Sequence, residues 1–136
     1  MRRISLSVSI LFLLSLFTIS LMGCSYTSKK VSYDVTFEQT IDEKLNGITH
    51  PKDTKILLSS NPYDYFKSAE SIENYNYIVS QGEKSLDYML KKFAKSNNNG
   101  LEEYIMAIAC ADILKENPKL KNWASGREWY NNYIKK

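Results

Sequence analysis

The stretch Leu101–Glu116, LEEYIMAIACADILKE, decides the fold. Leu101, Tyr104, Ile105, Ile108, Ala109, Ile113 and Leu114 recur at helical spacing, and Met106, Ala107 and Cys110 widen that stripe until little of the helix is polar. A helix apolar on most sides buries itself against several neighbours, so 101–116 is expected at the centre of the domain. Glu102 and Glu103 fall in its first turn, where carboxylates suit the positive end of the helix dipole. Asn117-Pro118 is read as its stop, and Asp112 and Glu116, four apart, as a solvated edge.

Working outward, the flanking segments repeat the same logic. Ser96-Asn97-Asn98-Asn99-Gly100 is a loop, and before it Leu86, Met89, Leu90 and Phe93 form the stripe of a helix over 84–95. Asp87 and Lys91 stand four apart on its outer face, the favourable order for an ion pair. Ile72, Tyr75, Ile78 and Val79 define a helix over 72–81 that Gly82 ends. Beyond 116, Ser125-Gly126-Arg127-Glu128 has capping-box spacing and opens a helix over 126–135 carrying Trp129, Tyr130, Tyr133 and Ile134. Trp123, two residues before the cap, is expected to pack back over its first turn.

The segment before 61 reads less sharply. Tyr33, Val35 and Phe37 alternate as in a short strand, while Thr36-Phe37-Glu38-Gln39 has capping-box spacing, and Phe37, Ile41 and Leu45 then favour a helix over 37–46 stopped by Gly47. Residues 54–59, TKILLS, suit either strand or helix. Asn61-Pro62 is a helix-start pair, a capping side chain followed by a residue suited to the first turn. The fold class is therefore all-α: a small antiparallel bundle over residues 36–136, with the pairs 72–81/84–95 and 101–116/126–135 open to a HEAT-like stacking.

The N-terminus has a different character. Met1-Arg2-Arg3 precedes an uncharged run from Ile4 to Met22, ISLSVSILFLLSLFTISLM, the layout of a secretory signal. That run is about long enough to cross a bilayer, since ~20 residues at ~1.5 Å each reach ~30 Å, so length does not separate a cleaved signal from a permanent anchor. It closes on Leu21-Met22-Gly23-Cys24, followed by polar Ser25-Tyr26-Thr27-Ser28-Lys29-Lys30.

These residues resemble the lipobox of bacterial lipoproteins. Leu21 stands at the family's leucine, three before the cysteine, and Gly23 at its small residue, one before; Met22 departs from the usual small or β-branched residue. The resemblance implies a signal peptide over 1–23, a diacylglyceryl group on the Cys24 sulfur, cleavage just before Cys24 and a palmitate-type lipid anchor on the outer face of the cytoplasmic membrane. Two or more acyl chains hold a membrane stably where one does not, because each buried CH₂ contributes ~0.8 kcal/mol. Residues 24–35 then read as a flexible tether. Further along, NPYDYF, IVSQGEKSLDYML, NGLEEYIMAIA and REWYNNY resemble small Gram-positive helical lipoproteins.

Composition narrows function more than it names it. Among 136 residues, 18 are basic and 15 acidic, and losing Arg2 and Arg3 leaves the chain near neutral, so nucleic acid is not an expected partner. With Cys24 lipidated, Cys110 has no disulfide partner and is read as a small buried hydrophobe. His50 is the single histidine, beside Pro51 in a loop, and no nucleophile elbow, metal-ligand spacing or nucleotide motif accompanies it. The acidic pairs Asp42-Glu43 and Glu102-Glu103 point adjacent residues in different directions, unlike a two-carboxylate cleft. No cofactor or metal is expected.

The excess lies in aromatics: all ten Tyr and both Trp follow Cys24. Tyr and Trp offer rigid faces with polar tips, suited to binding proteins or sugars. Tyr63, Tyr65, Trp123, Trp129, Tyr130 and Tyr133 are the candidate binding surface. The expected function is a non-catalytic binding module contacting an envelope protein or wall polymer. An envelope enzyme such as a wall-acting hydrolase, and an immunity- or inhibitor-type lipoprotein, are the alternatives.

Overall fold

The computed structural model describes residues 24–117 and 120–136. The expectations for the signal segment, including Leu21, Met22 and Gly23, fall outside these residues. The chain divides into two units, residues 1–37 and 38–136. Among the described residues there are five α-helices and no strand: α1 (Cys24–Thr49), α2 (Ala69–Ser80), α3 (Glu83–Lys95), α4 (Leu101–Ile113) and α5 (Gly126–Tyr133). Two 3₁₀ turns, Ile56–Leu58 and Pro62–Phe66, lie between α1 and α2. No helix of the described residues is long and apolar enough to cross a membrane.

The first helix is longer at both ends than the expected 37–46, and one open choice is resolved. Residues 24–35, read as a tether, are helical, as are 33–37, where a strand was open. The helix also passes through Gly47 and ends at Thr49. One glycine weakens a helix by only about 1 kcal/mol. Pro51 is the effective stop, because proline disfavours the helical conformation of the residue before it. Gly47 has another role: a Cβ there would stand 2.5 Å from Asn74 Nδ2, so its bareness lets α1 approach α2. From residue 38 onward α1 buries Ile41, Leu45 and Ile48. Its Asp42 accepts hydrogen bonds from Tyr88 (2.8 Å) and Lys92 (2.6 Å) of α3, and Lys44 stands over the Tyr77 ring of α2.

Residues 54–59 resolve as the 3₁₀ turn Ile56–Leu58, which leaves Leu58 89% exposed. The Asn61-Pro62 pair opens the second turn as expected, with Asn61 Oδ1 accepting from the Tyr63 amide at 3.2 Å. Helix α2 starts earlier than expected. Ser68 caps it, accepting from the Ser71 amide at 3.0 Å, and Ser71, Asn74 and Ile78 turn inward. That phase leaves Ile72 exposed, against the expected stripe. Gly82, with φ +57°, makes the tight turn into α3.

Helix α4 is central. It packs against α2, α3, α5 and the Pro62–Phe66 turn, and buries Ile105, Met106, Ala107, Ala109 and Cys110. Its heaviest packing is with α5, the partner expected for it, and then with α3. It ends at Ile113, short of Asn117-Pro118, because Lys115 turns left-handed with φ 55°. The Glu116 amide then bonds Ala111 O (2.9 Å) and the Lys115 amide bonds Asp112 O (3.1 Å), which satisfies the last carbonyls. Helix α5 carries the expected Ser125 cap, accepting from the Glu128 amide at 3.2 Å. Gly126 lies directly against α4: a Cβ there would fall 2.1 Å from Glu103 O.

Candidate functional site

A groove of about 330 Å³ opens between the C-terminal half of α4, the connection that follows it and the outer side of α5. Helix α4 supplies Ile108, Ala111 and Asp112; the connection supplies Glu116, Asn117, Leu120, Lys121, Asn122 and Trp123; α5 supplies Trp129, Asn132 and Tyr133. Tyr63 reaches it from the second 3₁₀ turn and Lys136 from the C-terminus. Four of the six aromatic candidates, Tyr63, Trp123, Trp129 and Tyr133, therefore share one concavity.

The other two lie elsewhere. Tyr65 is buried, at 6% exposure, and does not line this groove. Tyr130 stacks flat on Phe93, with centroids 5.1 Å apart and planes at 11°, and Arg127 stands 5.3 Å over both rings. Helical geometry explains the split in α5: Trp129 and Tyr133, four apart, stack at 5.4 Å, whereas Tyr130 is turned about 100° away.

The polar groups of the groove are fixed. Trp129 is 2% exposed and its indole N–H donates to Glu116 Oε2 at 3.1 Å. The other Glu116 oxygen takes the Lys136 ammonium at 3.0 Å. Asp112 accepts from the Tyr75 hydroxyl at 2.5 Å. Burial first, and then that hydrogen bond, hold the Tyr75 phenol well above its ordinary range. With two carboxylates and two ammonium groups, the lining is balanced in charge.

At one end, Lys121 Nζ lies 4.3 Å from the Trp123 ring centroid, 4.5 Å from Tyr104 and 5.5 Å from Tyr63. The hydroxyls of Tyr63 (3.3 Å) and Tyr104 both accept from it. Burial lowers the Lys121 pKa, and the two phenols outweigh that, so the net direction is upward.

Sequence reasoning missed Glu116, Lys121 and Tyr104. One signal was available for Glu116, since a buried indole N–H needs an acceptor. Reading Glu116 with Asp112 as a solvated edge assumed a helix that in fact ends at Ile113. No local pattern brings Lys121 to Tyr63, which lies 58 residues away.

Of the remaining chemical candidates, Asp42 and Glu102 come together, on the one ammonium of Lys92. His50 is exposed beside Thr49, whose Oγ1 lies 2.9 Å from its Nδ1. Cys110 is fully buried, and burial pushes its thiol well above the ordinary range. Asp42 and Glu102 both pair with Lys92, at 2.6 and 2.7 Å, and Glu103 Oε2 accepts from the Gly100 amide at 2.8 Å. Cys24 is the first described residue, in α1. Among protein-family models, curated proteins and solved structures, the chain finds no match.

Proposed function

We propose that this protein is a lipid-anchored module of the bacterial envelope that binds a wall polymer, without catalysis, in the groove lined by Tyr63, Trp123, Trp129 and Tyr133. The groove carries this reading: flat aromatic surfaces converge with the amides of Asn122 and Asn132 in one concavity, the combination that stacks on a sugar ring and bonds its hydroxyls. The anchor follows from Leu21-Met22-Gly23-Cys24, which implies a diacylglyceryl thioether on Cys24.

Two measurements test the two halves. Intact-mass analysis of the native protein is expected to show a chain starting at an acylated Cys24, and Cys24→Ala is expected to keep its leader and lose acyl label; a native chain starting at Met1 with a bare thiol overturns the anchor. For the groove, Trp123→Ala and Tyr133→Ala are each expected to weaken retention on purified cell walls about ten-fold, which corresponds to ~1.4 kcal/mol. Equal retention of the folded variants overturns the groove.

A further inference from the structure

We propose that Lys121 Nζ, Tyr63 Oη and Tyr104 Oη form an oxyanion site at one end of the groove, which takes a negatively charged group carried by the wall polymer. The proposal rests on the groove reading and deepens it by fixing the charge of the ligand at that end.

Two phenols share one ammonium there. Lys121 Nζ stands at the phenol oxygens of the two rings, donating to Tyr63 Oη at 3.3 Å and to Tyr104 Oη. The Trp123 ring backs it, with its centroid 4.3 Å away. An ammonium carries three donors, and the phenols take two of them. Each phenol that accepts from Lys121 keeps its own O–H, and among the described residues neither O–H has an acceptor. An ammonium at the oxygen also makes a phenol a stronger donor. One N–H and two O–H groups therefore lie within reach of a single oxyanion.

Charge points the same way. Among the described residues Lys121 pairs with no carboxylate. The other charges of the lining are engaged: Asp112 accepts from Tyr75, and Glu116 holds the Trp129 indole and the Lys136 ammonium. Burial lowers the Lys121 pKa and the two phenols raise it further, so its charge persists through neutral pH. An entering anion thus meets an uncompensated cation together with hydrogen-bond donors, and charge-assisted bonds are roughly twice as strong as neutral ones. Lys121 and Tyr63 are exposed while Tyr104 and Trp123 are half-buried, so the site is open to a polymer above a packed floor. Asn122 and Trp123 follow Lys121 in the groove lining, which puts an amide and a stacking face for a sugar ring beside the anion.

The test uses the full chain in a non-ionic detergent on purified cell walls. Lys121→Met is expected to lower retention about ten-fold, which corresponds to ~1.4 kcal/mol. Lys121→Arg is expected to keep most of it, and Tyr63→Phe, which preserves the ring, to lower it about three-fold. Added salt is expected to weaken retention of the unaltered chain more than that of Lys121→Met. Dimethyl phosphate is expected to shift the Lys121 ε-methylene resonance of the unaltered chain, and neutral trimethyl phosphate to leave it in place. Walls treated with cold hydrofluoric acid, which cleaves phosphodiesters and leaves peptidoglycan, separate the sources. Loss of the Lys121 effect on such walls assigns the anion to a phosphodiester polymer, and its persistence to a carboxylate of the peptidoglycan. Full retention of folded Lys121→Met, or the absence of a selective dimethyl phosphate shift, overturns the site. If Tyr133→Ala still lowers retention in that case, the groove reading stands; if it does not, both fall. An unaltered chain that walls do not retain overturns the groove reading instead, and the dimethyl phosphate titration then decides the oxyanion site by itself.

Discussion

Arg127 of α5 donates from Nη1 to the carbonyl of Phe93 in α3 at 2.8 Å, while its guanidinium lies 5.3 Å over the Phe93 ring. The same side chain bonds Ser96 O at 2.5 Å and Asn98 O at 3.2 Å. It therefore takes up the Phe93 carbonyl, which the end of α3 leaves without a helical partner, together with two carbonyls of the cap and loop that follow. Arg127→Ala is expected to destabilise the domain by about 2–3 kcal/mol, because several charge-assisted bonds to part-buried carbonyls are lost together. Arg127→Lys should recover less than half, having no planar fork. Urea denaturation followed by helical ellipticity measures both.

Gly126 presses the first turn of α5 onto the backbone of α4. A methyl group there would fall 2.1 Å from Glu103 O and 2.7 Å from Tyr104 N, neither of which can move without shifting α4. Gly126→Ala is expected to cost about 2–3 kcal/mol. Gly82→Ala meets open space, and its cost, on the order of 1–3 kcal/mol, comes from the backbone alone, since φ +57° with ψ −133° is a combination side chains rarely adopt. Raising the bulk at each site to Val should widen the gap at 126.

Lys115 holds a left-handed conformation that a side chain disfavours by about 1–2 kcal/mol. Lys115→Gly relieves that strain and gives back part of it through the greater freedom of glycine in the unfolded chain. A net gain of about 0.5–1 kcal/mol is expected, read as a higher denaturation midpoint at unchanged m-value. An unchanged or lower midpoint would show that the Lys115 side chain contributes contacts that outweigh its backbone.

Two tyrosines make the fold sensitive to alkali. Burial, then the hydrogen bond to Asp112, raises Tyr75 above its ordinary 10.0; burial, then Asp42, does the same for Tyr88. The folded state thus holds protons that the unfolded chain releases near pH 10. The stability from each is complete below that pH and is lost as pH climbs beyond it toward the folded value. The melting temperature is expected to fall between about pH 9.5 and 11, and Tyr75→Phe should flatten that fall while lowering stability at neutral pH.

Much of this architecture was legible because local physics dominates it. The apolar girth of 101–113 placed it in the middle, and Asn61 and Ser125 cap their turns through their own side chains. What escaped depends on contacts far apart in the chain. The inward phase of α2 follows from Asn74 meeting Gly47, and Ile72 turns outward with it. The early end of α4 at Lys115 carries no glycine signature. In the site, aromatic abundance pointed to Trp123, Trp129 and Tyr133, but composition alone did not divide them from Tyr65, which fills the interior, or from Tyr130, which lies on Phe93.

The left-handed residue after α4 releases the chain from the helix axis, so six of the fourteen residues around the groove are drawn from a connecting segment and not from the bundle. Exchange of Leu120 or Asn122, both exposed, leaves the buried seam between α4 and α5 untouched. Recognition can thus be retuned by drift along one short span, at little risk to folding.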